Sequence, residues 1–187
     1  MGLLDLFKRK TDERGIDLYE SALAQARQAI FHTQLGVPDS LDGRFDLIVL
    51  HLCLLREALL VAGEKEGDGT LLQAMDERFI TDMDYALREV GVGDLSVGKQ
   101  VKAMAGAYQG RWKRYRAAFA HKHDRDLVDA ISANVYRDED KPAAHTETIA
   151  RYCRAQIALL SAQSEAIRRA QGLPWTPLEL EAAGGAI

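Results

Sequence analysis

Cysteine and proline are both scarce in this chain: two and four residues among 187. Neither Cys53 nor Cys153 has a second cysteine or a histidine at ligand spacing. The sequence therefore offers no disulfide framework and no thiolate metal site, and both thiols are expected free and buried in a reducing compartment. A long apolar run is missing too. The longest, Leu47 to Leu55, is interrupted by His51 and followed by Arg56-Glu57, and a bilayer span needs about 20 apolar residues. The opening residues place apolar side chains before charged ones and carry Asp5, Asp12 and Glu13, unlike a secretory signal or a mitochondrial presequence. Position 6 is Leu6 where a myristoylation start wants Ser or Thr. A cytoplasmic protein is expected, in one domain, peripheral at most to the inner face of the plasma membrane.

Catalytic patterns are also lacking. Gly93 to Lys99 has P-loop spacing, but Gln100 stands where a hydroxyl must hold magnesium, and the segment follows a helix rather than a strand. It reads as a helix–helix turn. His121-Lys122-His123 is a pair without a carboxylate or cysteine recognised nearby, so favourable charge at a helix C-terminus is its expected role. No Glu-x-x-His pair suggests a di-iron bundle. His51, amid Leu50, Leu52 and Cys53, is expected to be a satisfied core histidine. No nucleophile–base set can be assembled, so no enzyme, cofactor or metal is expected.

What is present is helix. Few prolines, abundant Ala, Leu, Arg, Glu and Gln, and no sustained period-2 alternation predict an all-α, bundle-like domain of about six helices without a sheet. They fall at about 16–34, 44–62, 70–90, 94–119, 125–135 and 142–170. Residues 1–15 and 176–187 are expected to be tails around a domain at 16–175. Within the first tail, Leu3, Leu4, Leu6 and Phe7 precede Lys8, Arg9 and Lys10, an amphipathic tip suited to an anionic membrane surface.

The helix at 94–119 stands out. Val97, Val101, Met104, Ala105, Tyr108, Trp112, Tyr115 and Phe119 form one stripe, and Lys99, Lys102, Lys113 and Arg114 lie opposite, with Arg111 and Arg116 on the flanks. No carboxylate occurs between Asp94 and Asp124, although the whole chain has net charge −4. Three readings are open: a solvated face pairing with the acids of the preceding helix (Glu77, Asp84 and Glu89, beside Arg88), a docking surface for an anionic lipid, RNA or protein partner, or, weakest, DNA reading. No helix-turn-helix pattern supports the last. Asp76 falls on the apolar side of its helix beside Phe79 and Met83, and a structural ion pair with Arg44, or with Arg111, is expected there.

Val37-Pro38-Asp39, Leu41-Asp42-Gly43-Arg44-Phe45-Asp46-Leu47 and Leu50-His51 resemble the first signature of the ubiquinol–cytochrome c chaperone family. Asp82-Met83-Asp84, Leu87-Arg88-Glu89, Gly91-Val92-Gly93-Asp94-Leu95-Ser96-Val97, Lys102, Met104 and Gly110-Arg111 resemble the second, and Asn134-Val135-Tyr136 a third. The resemblance runs from about Tyr19 to Tyr136. It implies a non-enzymatic assembly factor of the respiratory ubiquinol–cytochrome c reductase, with newly made cytochrome b as client. In the mitochondrial branch such a protein works beside a small helical co-chaperone near the ribosome. The candidate client- or partner-binding residues are then Glu77, Asp84, Arg88, Glu89, Lys99, Lys102, Arg111, Lys113 and Arg114. The alternative is a ribosome- or RNA-associated module using the basic helix.

Overall fold

The apolar run from Leu47 to Leu55 becomes the axis of the molecule. The structure, a computed structural model, describes residues 12–67, 70–137, 143–170 and 172–178. Among these residues there are eight helical segments and no strand: α1 (Glu13–Ala26), α2 (Ile30–Thr33), α3 (Leu41–Val61), α4 (Leu71–Glu89), α5 (Asp94–Ala120), α6 (Arg125–Val135), α7 (Ala143–Ala162) and α8 (Ser164–Arg169). The fold is all-α, as the sequence implies. The tip at Leu3 to Lys10 lies outside the described residues.

Fifteen of the 21 residues of α3 are buried, because α1, α5, α6, α7 and α8 all pack on it. Helix α4 is held by α1 and α5 instead. The Ser40 hydroxyl caps α3 by accepting from Gly43 N at 3.1 Å. Gly43 must lack a side chain: a Cβ there would sit 1.9 Å from Pro38 O. That contact seats the Pro38 turn on the first turn of α3. The Thr70 hydroxyl caps α4 in the same way, by accepting from Gln73 N. Gly91, at φ 89°, ends the α4 turn where a left-handed residue is needed.

Four helices match the sequence reading closely; the first and last differ. The first begins at Glu13, inside the expected tail, because the Asp12 side chain accepts from Arg14 N. It stops at Ala26 without glycine or proline. The turn before α2 carries Phe31 into the core, edge-on to His51 (5.3 Å) and Tyr152 (5.7 Å). The last helix divides at Gln163 into α7 and α8. Beyond them, residues 172–178 form a strap into the expected C-terminal tail. Buried Gln156 donates to Thr176 O (2.7 Å) and accepts from Thr176 N (3.1 Å), Trp175 Nε1 donates to Ser21 Oγ (2.9 Å), and Leu178 is buried.

His51 is the expected core histidine. Gln25 Nε2 donates to Tyr152 Oη, which lies 2.9 Å from His51 Nε2, and His51 Nδ1 lies 2.8 Å from Leu47 O. The tyrosine hydroxyl thus donates to Nε2, and Nδ1–H donates to the carbonyl. Burial pulls the His51 pKa from 6.5 down to about 4. The unfolded chain then binds a proton that the folded one refuses, so His51 contributes its full stability above pH 6.5 and loses it as pH falls toward 4. The loss amounts to about 3 kcal/mol. Unfolding free energies of wild type and His51→Gln, taken from urea titrations, should converge by that amount on acidification; parallel curves would rule out the neutral buried imidazole.

Candidate functional site

The apolar stripes of α4 and α5 run further than the core that covers them. Met83, Leu87 and Val90 at the end of α4, and Ala103, Met104 and Ala107 on α5, face Leu41, Phe45 and Ile48 from the start of α3. Between them lies a groove of about 990 Å³, lined also by Ala29 and His32 of the α1–α2 corner. Leu41 and Val90 at its rim are 71% and 58% exposed. An exposed apolar patch of this sort marks an interaction site. Two of the chain's four methionines, Met83 and Met104, line it, and methionine adapts to differing apolar shapes. Small residues on α4 and α5 (Ala86, Ala103, Ala107) leave the space open.

Under the groove sits a charge cluster. The Asp46 side chain has no exposed surface, Arg111 Nη2 lies 2.6 Å from its Oδ1, and Arg137 Nη2 lies 3.3 Å from its Oδ2. Burial pushes the Asp46 carboxyl up, against the pull of the two guanidiniums. Arg111 also stacks over Phe45 at 5.3 Å. Arg137 adopts a left-handed φ of 55°, a conformation costing a non-glycine residue about 1–2 kcal/mol, and is held there by Asp46 and by Asp42 at 2.8 Å. At the rim, Arg44 pairs with Asp39 at 2.7 Å. Arg27, Arg44, Arg111 and Arg137 outnumber Asp39 and Asp42 among the lining residues.

The expected ion pair of Asp76 with Arg44 is not formed. Asp76 is largely buried, as its position implies, but its partner is Arg56, at 2.7 Å, and Tyr108 donates to its other oxygen at 2.8 Å. Arg56 is 7% exposed and stacks on Trp112 at 5.2 Å. Arg44 stays on the surface with Asp39, five residues before it. Arg111, the other expected partner, is committed to Asp46 and is therefore part of the framework.

The remaining expected site residues lie away from the groove. Asp84 pairs with Arg88 at 2.7 Å, and Arg88 also reaches Asp94 across the α4–α5 turn. Glu77 accepts from Gln73 on the same helix, and Glu89 takes the Tyr85 hydroxyl. None of the four lines the groove. On α5, Lys99, Lys102, Lys113 and Arg114 are exposed, and no ion pair holds them among the described residues; the α4 acids do not reach across to them. Arg116 stacks on Trp112 at 5.6 Å. His121 and His123 do have a carboxylate neighbour, contrary to expectation: Asp126 contacts His121 Nδ1, from the first turn of α6.

An apolar groove is what a holder of apolar client segments needs, but its place and its lining were not read from the sequence. Its signal was two apolar stripes, on α4 and α5, reaching their common turn with no third helix assigned to cover them. Chemically it is suited to an apolar helical segment laid between three helices, the equipment of a protein that binds another protein. Comparison with known proteins makes the class specific. The chain belongs to the ubiquinol–cytochrome c chaperone family, whose sequence profile matches residues 33–175. The crystal structure of the Cbp3 homolog from Brucella abortus is similar: 30% sequence identity and a TM-score of 0.76, covering 95% of this chain and 98% of that one. No curated protein sequence matches. Among the described residues, no helix is long and apolar enough to cross a membrane.

Proposed function

We propose that this protein is a non-enzymatic assembly chaperone that holds newly made cytochrome b and assists assembly of the ubiquinol–cytochrome c reductase. The observation carrying the reading is the open apolar groove, with the family membership beside it. A membrane protein awaiting its partners exposes apolar helices, and a groove faced by Leu, Met and Ala side chains covers part of one without chemistry. Glu77 and Glu89, outside the groove, are the acids left to meet positively charged client loops. Deleting the gene in its own host should remove cytochrome b, seen by immunoblot and in the haem b spectrum of isolated membranes, and the wild-type gene should restore it. Unchanged cytochrome b would overturn the assembly role.

The exposed cations of α5, which no ion pair holds among the described residues, give the chaperone a second surface, turned away from the core. Lys99, Lys102, Lys113 and Arg114 dock it on an anionic membrane or on ribosomal RNA at the cytoplasmic side, where a helical co-chaperone can also act; the tip at Leu3 to Lys10 would add to membrane contact. Each base near an anionic membrane contributes about 1 kcal/mol. Reversing all four to Glu should therefore abolish co-sedimentation with anionic liposomes or ribosomes. Binding that survives the reversal removes the basic face from the mechanism.

A further inference from the structure

We propose that His121, His123 and Asp126 form a surface site for a divalent first-row transition-metal ion, with zinc(II) as the probe. One ligand atom from each residue lies within 4.8 Å of the other two. Metal bonds of about 2.0–2.2 Å place tetrahedral ligands about 3.4 Å apart. Exposed histidine and aspartate side chains cover that difference by rotamer adjustment alone, and both histidines are exposed. The imidazole rings already lie with centroids 5.6 Å apart, and the Asp126 carboxylate contacts His121 Nδ1. Two imidazoles and one carboxylate suit zinc, nickel, cobalt or iron(II) and leave coordination positions open to water or to a side chain of another protein.

The backbone carrying these ligands is fixed from behind. Arg154 of α7 donates to Phe119 O (2.7 Å), Ala118 O (3.2 Å) and His121 O (2.7 Å), and its Nε donates to Asp124 Oδ1 at 3.0 Å. That one guanidinium ties the end of α5 to the start of α6 and holds the ligands on one side of the turn. It also occupies Asp124, which leaves Asp126 as the carboxylate available to an ion. The C-terminal end of a 27-residue helix favours positive charge. Lys122 and Arg125 oppose it, and both are exposed to solvent that screens them.

The test is calorimetric titration of the full chain, with no histidine tag and after chelation, against zinc(II). One ion should bind per chain, and cobalt(II) in its place should give a visible ligand-field spectrum. His123→Ala and Asp126→Asn should each weaken binding by roughly 100-fold, since even outer-shell partners are worth about 10–100-fold. His145→Ala, on α7, should bind as wild type does. The three ligand residues lie at the surface, so unchanged circular dichroism is expected and separates lost ligation from lost fold. Absence of binding, or binding unchanged in both ligand variants, would overturn the site. Either result leaves the client groove untouched, since no residue of the cluster lines it.

Discussion

Leu41→Asp combined with Val90→Asp should reduce cytochrome b to the level of the deletion strain while the protein itself accumulates normally. Both side chains sit at the groove rim, 71% and 58% exposed. Replacing them therefore removes little from the folded core, and such surface changes usually stay within about 0.5 kcal/mol. The effect on a bound apolar helix is different. Each lost apolar contact forfeits about 1.5–3 kcal/mol of burial, and each new carboxylate must be desolvated against the client. Together the two should weaken binding by at least about 3–6 kcal/mol, or roughly 10²- to 10⁴-fold. Val61→Asp is the matched control. It is 62% exposed but lies at the other end of α3, about 30 Å away at 1.5 Å per residue. Complementation of the deletion strain reads both variants at once. Full rescue by the rim variant would sink the groove as the client site. Failure of the control as well would show that any added surface charge is harmful.

The features legible in the sequence and those hidden from it divide by range. Helices α3, α4, α5 and α6 were readable because their signals are local: runs and stripes of apolar residues in good helix formers. The corner after Ala26 was not, since no residue there forbids helix; Phe31 is turned inward by the distant His51 and Tyr152. Asp76 illustrates both cases. Its place on the apolar side of α4 showed that it would need a cation, but the choice of Arg56 depends on how α3 crosses α4. Arg56 had looked like the polar end of an apolar run. Asp46 passed unremarked inside the motif that ends at Leu47, although it is the more deeply buried acid. The position of the groove stayed hidden for a related reason: an apolar stripe is the same whether a neighbouring helix covers it or leaves it open.

The cluster beneath the groove should be costly to open. Arg111→Met keeps an unbranched apolar stem but removes the guanidinium 2.6 Å from Asp46 and its stacking over Phe45. Arg137 alone cannot replace it, being 3.3 Å away, shared with Asp42 and half-exposed. Removing one partner of a buried pair costs about 3–5 kcal/mol, a large share of the roughly 5–15 kcal/mol that holds a domain folded. Urea unfolding at pH 7 should register that loss. Adding Asp46→Leu should recover most of it, because replacing both members of a buried pair by apolar groups is often neutral. The acid branch gives an independent sign. With Arg111 gone, burial raises the Asp46 pKa above its unfolded value with less to oppose it. Protonation then favours the folded state: its contribution is fully present below the unfolded pKa and is lost as pH rises through the folded pKa. The stability gap between Arg111→Met and wild type, compared at each pH so that His51 cancels, should therefore narrow from pH 7 toward pH 4. A gap under about 1 kcal/mol at pH 7, or one that widens in acid, would mean that Arg137 and solvent already satisfy the carboxylate. Arg111 would then be available to a partner, as its place on the basic helix first implied.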